Sequence, residues 1–285
     1  MAERLADIVT QIQNVRQLGA VVTAMRGIAA SRAQKGRSLL AGIEAYTDVI
    51  SRAIGQALSF LPRDMTTSPA PGRSARGLIL FCAEQGFAGA FSERVLDAAG
   101  GDLEGATTLV IGTRGTAVAH ERGLTPTWSA PMATHVEAIP SFANRLADAL
   151  YGYAASGAIA KVDILFSRVV AGGGIRIDRH SLLPIDFERF TRPIERRMPL
   201  TTLGPQLLLE RLAAEYVYAQ LCQAAMHAFE AENEARMLAM ASAKTNIESK
   251  LAVLSQRERQ LRQEEITTEI VELATGAEAA ASNRR

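Results

Sequence analysis

The feature that most constrains this chain is a stretch near its C-terminal end, residues 206–275, that contains neither Gly nor Pro. Gly204 and Pro205 come directly before it, and Gly276 follows it. Pro is accepted in the first turn of a helix, where its missing N–H is not needed, and Gly is favoured just after a helix. The pattern predicts one helix over 206–275, which at ~1.5 Å per residue would be on the order of 100 Å long. So long a helix needs a long partner.

The partner is predicted at the other end of the chain. Steps of three and four residues, the pattern of a coiled-coil seam, connect mostly apolar positions without a change of register at both ends. The N-terminal seam is Leu5, Ile8, Ile12, Val15, Gly19, Val22, Arg26, Ala29, Ala33, Gly36, Leu40, Ile43, Thr47, Ile50, Ile54, Ala57 and Leu61. The C-terminal seam, which charge interrupts, is Met237, Met240, Lys244, Ile247, Leu251, Leu254, Glu258, Leu261, Glu265 and Thr268. The two ends therefore predict a long antiparallel two-helix coiled coil.

The middle of the chain has a different pattern. Short continuous apolar runs at 78–82 and 109–111 are typical of strands covered on both faces, and each is followed by a Gly-containing turn and a helical pattern. Further strands are expected at 162–169 and 175–182, with a helix over 136–155 before them. This alternation predicts a small Rossmann-like α/β domain inserted between the two shaft helices. The predicted boundaries are 1–62 for the first shaft helix, 63–75 for a linker, 76–190 for the α/β domain, 191–205 for a connection, 206–275 for the second shaft helix and 276–285 for a flexible tail.

No pattern of catalytic, cofactor-binding or metal-binding residues emerges from the sequence. Two glycine pairs follow the first two predicted strands, Gly86 with Gly89 and Gly112 with Gly115, but neither completes a dinucleotide-binding fingerprint, and no P-loop occurs. The four His residues lack the i, i+4 spacing of metal ligands on a helix, and no Ser lies in a nucleophile elbow. We therefore expect no catalytic residue, no cofactor and no metal.

The composition and the two cysteines indicate in which cellular compartment the protein is expected. The formal net charge is +1, so the overall balance does not call for nucleic acid or a membrane surface. No apolar run approaches the ~20 residues that span a bilayer, and no signal or transit segment is recognisable. Cys82 and Cys222 are interpreted as small buried apolar residues in a reducing compartment. We expect a protein of the bacterial cytoplasm without direct membrane insertion.

One charge pattern stands out on the N-terminal helix. Between Ile8 and Ile43 there is no Asp or Glu. The basic residues of this span, here called the basic band, are Arg16, Arg26, Arg32, Lys35 and Arg37. An exposed basic band indicates an acidic partner surface, either phosphate or carboxylate. Nucleic acid is the weaker choice because no aromatic residue lies in the band to stack on bases. The alternative is a solvated face whose asymmetry has no function.

The two ends of the chain also carry recognisable motifs. They are Thr23-Ala24-Met25-Arg26 and Ala29-Ala30-Ser31-Arg32 near the start, the run 232–240 (ENEARMLAM) with Asn246, and later Arg262-Gln263 and Ile266-Thr267-Thr268-Glu269-Ile270. These motifs lie on two predicted helices more than 200 residues apart, with an α/β insertion between them. In this order they resemble the gamma subunit of F-type rotary ATP synthases. The resemblance covers the whole chain.

The resemblance implies a non-catalytic central shaft that rotates inside a ring of alpha and beta subunits, with its globular foot on the epsilon subunit and the ring of c subunits. It implies a peripheral position on the cytoplasmic face of the bacterial inner membrane. Met25 and Arg26 would meet an acidic loop of beta, and Arg32 and Lys35 of the basic band are expected to contact a partner as well. By the same resemblance, Arg236, Gln263 and Thr267 would link the C-terminal helix to the surrounding ring.

Several positions depart from the family pattern. The family's Ser-Asp-x-Gly-Leu-Cys-Gly-Gly run corresponds to residues 83–90 (AEQGFAGA), its Lys positions before Met25 are Ala20 and Thr23, and its Glu-Pro pair is Thr202-Leu203. These departures favour a divergent, alternate rotary ATPase. Two other classes remain as alternatives: an α/β ligand-binding protein or enzyme with helical dimerisation arms, and a coiled-coil adaptor without moving parts.

Overall fold

A computed structural model describes residues 2–62, 75–191 and 200–282. Within these residues there are five α-helices and five strands. In order they are α1 (Ala2–Leu58), β1 (Arg76–Phe81), α2 (Phe91–Ala99), β2 (Thr107–Ile111), α3 (Thr113–Glu121), β3 (Trp128–Ala130), α4 (Ile139–Ala155), β4 (Lys161–Val169), β5 (Ile175–Leu183) and α5 (Pro205–Ser282). The predicted linker, apart from residue 75, and most of the predicted connection (192–199) lie outside the described residues.

Both predicted terminal helices are present, but their ends differ from the predicted ones. Regular α-helix ends at Leu58, and a tighter turn continues to Leu61, whose N–H donates to the carbonyl of Leu58. At the other end α5 passes through Gly276 to Ser282, whereas the sequence predicted an end at Thr275 and a flexible tail. A single Gly costs a helix only about 1 kcal/mol, and the Ala residues that follow have the highest helix propensity. The prediction that Gly276 ends the helix is therefore wrong.

The chain divides into two compact units, and the division differs from the predicted domains. Unit 1 consists of Met1–Ile28 and Met237–Arg285, and unit 2 consists of Ala29–Arg236. The sequence placed boundaries where composition changes, near 62 and 206, but part of each long helix packs with the sheet and belongs to the same compact unit. The division therefore falls within α1 and α5.

Unit 2 is built on a five-stranded sheet with the order β3-β2-β1-β4-β5. All neighbouring strands are parallel except β4 and β5, which form the antiparallel hairpin expected from the sequence. The short β3 was not predicted, because its three residues (WSA) contain no apolar run. Both faces of the sheet are covered: Ile79 and Phe81 pack with α4 and α5, whereas Leu78 and Leu80 pack with α2 and α3. The continuous apolar runs reflect this double coverage.

Within unit 2, α1 and α5 run antiparallel. A Cβ added to Gly36 would lie 3.4 Å from the ring of Phe229, while further along α1 Tyr46 donates a hydrogen bond to Glu215, earlier in α5. Ile54 and Leu58 are almost fully buried in a cluster with Tyr216 of α5. Every predicted seam position of α1 from Ala29 to Leu61 is buried or half-buried, which confirms this part of the seam.

Unit 1 contains the remaining segments of the two helices. Buried residues recur every seven positions on α5, at Met240, Ile247, Leu254 and Leu261. On α1, a Cβ added to Gly19 would lie 3.3 Å from the Cγ2 of Ile247, so the helices approach closely there. All ten C-terminal seam positions, counted from Met237 to Thr268, are buried or half-buried. On α1 the seam prediction fails only at Arg26, which is exposed; the neighbouring Met25 packs into the apolar cluster instead.

Candidate functional site

The carboxyl ends of the parallel strands form the edge of the sheet at which α/β proteins most often bind ligands. In unit 2, Glu84 occupies this edge, in the turn that follows β1. Its carboxylate accepts hydrogen bonds from the backbone N–H of Thr113 at 2.9 Å, from the Thr113 hydroxyl at 2.8 Å and from the backbone N–H of Met132 at 2.8 Å. The side chain therefore joins three loops and supplies negative charge at the start of α3, the place a nucleotide phosphate would take.

The glycines at this edge serve close packing. Gly112 has φ +104°, and a Cβ there would lie 2.5 Å from the carbonyl oxygen of Ala83. A Cβ on Gly115 would lie 2.0 Å from the Cβ of Cys82. Helix α3 can thus rest directly on the end of β1 only because both positions lack a side chain. This agrees with the sequence interpretation of Gly112 and Gly115 as part of a strand-to-helix turn. Among the described residues, no atom lies within 4 Å of a Cβ added to Gly86 or Gly89.

The turn after β1, residues 83–90, is fixed to α5 by a buried polar cluster. The Glu232 carboxylate accepts from the backbone N–H groups of Glu84 at 3.0 Å and of Gln85 at 3.1 Å. Arg236, one helical turn later, forms an ion pair with Glu232. Its Nε donates to the carbonyl of Gly86 at 3.1 Å, and its Nη2 donates to the carbonyl of Gln85 at 3.2 Å.

Arg236, which the resemblance implied to be a partner contact, is bonded within the chain in this cluster. Only 6% of its side chain is exposed, and its third nitrogen donates to the Oδ1 of Asn233 at 3.0 Å. All three guanidinium nitrogens are therefore used inside the protein, where they fix a turn. That turn presents Phe87, which is 68% exposed and has φ +62°. A bulky residue with positive φ is strained, and such residues persist where the surrounding structure fixes them.

The basic band is less available to partners than the sequence indicates. Arg37 donates from Nε to the Oε1 of Glu230 at 2.8 Å, and its Nη2 lies 3.6 Å from the Oε2 of Glu234. Lys35 forms an exposed ion pair with Glu137, and Arg32 donates to the Oε1 of Gln85 at 3.4 Å. The three residues of the basic band in unit 2 thus have partners within the chain, of which those of Lys35 and Arg37 are carboxylates.

In unit 1 the expected contact residues lie in two separate places. Arg26 is exposed, and among the described residues no carboxylate lies within ion-pair distance of it. Met25 is half-buried in the cluster with Met240 and Ile247. Gln263 and Thr267 share one exposed face of α5, where the Thr267 hydroxyl donates to the carbonyl of Gln263 at 2.8 Å. Gln263 is 16 residues beyond Ile247, roughly 24 Å along a helix.

His227 is a buried titratable residue of unit 2 that the sequence did not single out. It is 5% exposed, and its ring stacks on Phe166 with centroids 5.7 Å apart. Its Nδ1 has no hydrogen-bond partner among the described residues. Burial, with Arg168 nearby, lowers the pKa of His227 to about 4. No sequence signal distinguishes it from a surface His, because its burial depends on how α5 packs on the sheet.

None of the helices in residues 2–62, 75–191 and 200–282 is both long enough and apolar enough to cross a bilayer. Within the same ranges, no group of three or more His, Cys, Asp or Glu side chains is arranged to hold a metal ion.

Comparisons with known proteins agree over almost the full length of the chain. A family model described as ATP synthase matches residues 4–280. The chain is 29% identical to an ATP synthase gamma chain of a Parafrankia species, over 99% of each protein, and 25% identical to the ATP synthase gamma chain of Clavibacter sepedonicus, over all of both proteins.

Similar folds occur among solved structures. One chain from a cryo-EM structure of the Euglena gracilis mitochondrial ATP synthase, described as OSCP/F1/c-ring, aligns with a TM-score of 0.66. It is 11% identical, and the alignment covers 100% of this chain and 97% of that one. A chain from a structure of the rotor of the same enzyme aligns with a TM-score of 0.60 at 10% identity, over 93% of this chain and 100% of that one.

Proposed function

Because this chain belongs to the ATP synthase family, we propose that it is the gamma chain, the central-stalk rotor of an ATP synthase or ATPase. In this role it couples ion flow through a membrane ring to ATP synthesis or hydrolysis in a ring of alpha and beta subunits. The relatives named ATP synthase gamma chain, which match over their full length, support the assignment.

The observation that carries the proposal is the helical pairing in unit 1. Segments from the two ends of the chain pack along one narrow seam, which includes Ile12 and Val22 of α1 and Ile247 and Leu254 of α5. Beyond residue 255, every α5 residue outside the seam is exposed among those with described side chains. A pair held together by a thin apolar seam, with polar outer faces, is suited to turning inside a sleeve, because large apolar contacts would create deep energy wells at particular angles.

A rotor must also present different faces to otherwise equal subunits. A partner shifts a conformational equilibrium only through unequal contacts with the states concerned. In unit 1, the exposed guanidinium of Arg26 lies on α1, and the exposed Gln263 and Thr267 lie on α5. These surfaces differ in charge and chemistry, so each alpha or beta subunit would meet a different surface as the rotor turns. We assign Met25, Arg26, Gln263 and Thr267 as contacts with the ring, and Arg32 and Lys35 as contacts nearer the foot.

We further propose that the chain is not itself a catalyst. The edge of the sheet where an α/β enzyme would bind a nucleotide is occupied by the Glu84 carboxylate, which disfavours the alternative of a nucleotide-dependent enzyme. The remaining partners would be the epsilon subunit and the ring of c subunits. The protein would lie on the cytoplasmic face of the bacterial inner membrane as a peripheral part of the complex.

The test is reconstitution of the alpha and beta subunits of the same organism with and without this chain. We expect the chain to co-purify with them and to be required for cooperative ATPase activity. Full, cooperative activity in its absence would reject the rotor function. The enzyme alternative would instead be favoured by a large shift in the melting temperature of the purified chain with ATP or NAD.

A further inference from the structure

The short segment 230–236 of α5 bonds to different parts of unit 2 through its opposite sides. Successive residues of an α-helix are rotated by about 100°, so residues four apart lie about 40° from each other and residues two apart lie about 200° apart. Glu230 and Glu234 therefore share one side of α5, and Glu232 and Arg236 share the opposite side.

The first side is bonded to α1. Glu230 has a side chain that is only 4% exposed, and it accepts the 2.8 Å hydrogen bond from Arg37. Glu234 lies 3.6 Å from the same guanidinium. The backbones lie close here, since a Cβ added to Gly36 would be in van der Waals contact with the Cβ of Glu230, at 3.5 Å. The hydrogen bond to Glu230 raises the pKa of Arg37, so this guanidinium stays charged.

The second side is bonded to the sheet. Glu232 and Arg236 hold the turn after β1 through four backbone groups, at distances from 3.0 to 3.2 Å. The small residues Ala231 and Ala235 pack beside the same turn, against Ala83 and Phe91. Because the groups are buried, each bond is costly to break and has little freedom to rearrange.

We propose that residues 230–236 form a joint that transmits rotation between the sheet and the α1/α5 pair within unit 2. This inference rests on the proposed rotor function. An apolar seam contains no directional bonds, whereas hydrogen bonds fix the rotation of two helices about the seam. The bond from Arg37 to Glu230 adds to the bond from Tyr46 to Glu215 farther along the same pair. The joint bonds α5 to α1 on one side and to the carboxyl end of β1 on the other, so the three parts turn together.

The experiment compares ion pumping with ATP hydrolysis in the complete complex, reconstituted in vesicles with a potential-sensitive dye. The variants are Arg37→Gln, Glu232→Gln and the double variant, with Arg37→Lys as the conservative replacement. Arg122→Gln is the matched control, because it removes one guanidinium from an exposed ion pair with Asp97 elsewhere in unit 2.

We expect the complex with the double variant to assemble and to hydrolyse ATP. The number of ions pumped per ATP should fall about threefold, which is a small effect among those of residues that modulate coupling between sites. Arg37→Lys and Arg122→Gln should keep the wild-type ratio. A merely stabilising role would lower the yield of complex but leave the ratio in assembled complexes unchanged. Arg37 is half exposed, so Arg37→Gln provides a folded variant even where the double variant fails.

If the assembled complex with Arg37→Gln or with the double variant pumps as many ions per ATP as the wild type, residues 230–236 do not act as the joint. A complex that is fully active without any copy of the chain would instead reject the rotor function, so the two failures are distinguishable.

Discussion

The carboxylate of Glu84 lies 2.9 Å from the backbone nitrogen of Thr113, at the first residue of α3. The same carboxylate binds the Thr113 hydroxyl and the backbone of Met132, so one side chain closes the edge where the strands end. In an α/β fold of this type the N-terminus of a helix after a parallel strand is a favourable place for an anion. Here the protein supplies that anion itself.

Glu84→Ala should therefore destabilise unit 2 while creating no nucleotide affinity. Loss of three bonds to one carboxylate, with two backbone N–H groups left unpaired, should lower the free energy of unfolding by about 2–4 kcal/mol. Urea denaturation of the purified chain measures this. Glu104→Ala, at an exposed position, should change stability by less than about 0.5 kcal/mol. Equal stability of Glu84→Ala and Glu104→Ala would contradict the conclusion that the Glu84 carboxylate holds the loops together at this edge of the sheet.

Gly115→Ala should be strongly destabilising because α3 rests on the end of β1 at this point. The added Cβ would be 2.0 Å from the Cβ of Cys82, so helix or strand has to move. We expect a loss of about 2 kcal/mol or more. Gly152→Ala is the matched control: it lies in α4 with no atom within 4 Å of the added Cβ, so it should stabilise the helix by up to about 1 kcal/mol. A Gly115→Ala variant as stable as the wild type would contradict the close approach of α3 to the end of β1.

Stability should depend on pH through His227. In the folded chain its pKa is about 4, against an ordinary 6.5, so between these values the unfolded chain binds a proton that the folded chain does not. The free energy of unfolding should therefore fall as pH falls from about 6.5 to 4, and level off below, with a loss on the order of 2 kcal/mol.

The measurement is denaturation at a series of pH values for the wild type and for His227→Leu. The wild type should lose more stability than the variant across this window, because only the wild type has the buried imidazole. Arg168, Asp178 and His180 lie close enough to affect the charge balance, and they remain in both proteins. Parallel curves for the two proteins would show that His227 does not cause the dependence.

Arg26→Glu should impair coupling without destabilising the chain. Arg26 is exposed and has no acidic partner among the described residues, so chain stability should change by less than about 0.5 kcal/mol. If Arg26 meets an acidic loop of beta, reversing its charge places like charges together, and ions pumped per ATP should fall at least about threefold. Arg26→Lys should retain coupling. Normal pumping by the Arg26→Glu complex would remove Arg26 from the contact surface.

Much of the fold was predictable from periodicity. The absence of Gly and Pro predicted the second shaft helix. The three-and-four spacing located every described buried position of α1 except Gly55 and Leu58, and those of α5 after Arg236, but not the wider buried part of α5 before it. The runs at 78–82 and 109–111 predicted strands buried on both faces, and the structure places them in the middle of the sheet. These signals are local or repeat many times, so a single sequence carries them.

The polar contacts were not predictable, because they join residues far apart in the chain. Arg37 and Glu230 are 193 positions apart, and Arg236 bonds to turn residues 150 and 151 positions before it. The sequence placed Arg37 in an exposed basic band, and the family resemblance implied that Arg236 faces a partner. Only the packing of α5 between α1 and the turn after β1 shows that both are bound within unit 2. The seam prediction also fails at Arg26, because Met25 packs in the apolar cluster and Arg26 is exposed.

The most direct test of the rotor function is observation of rotation in single complexes. The alpha and beta subunits would be fixed to a surface, and a bead would be attached to this chain through Glu104→Cys. The native Cys82 and Cys222 are buried, and burial raises the pKa of both thiols, so labelling should favour the new cysteine. We predict that ATP drives rotation of the bead in one direction. Stationary beads on complexes that hydrolyse ATP at the full rate would contradict it.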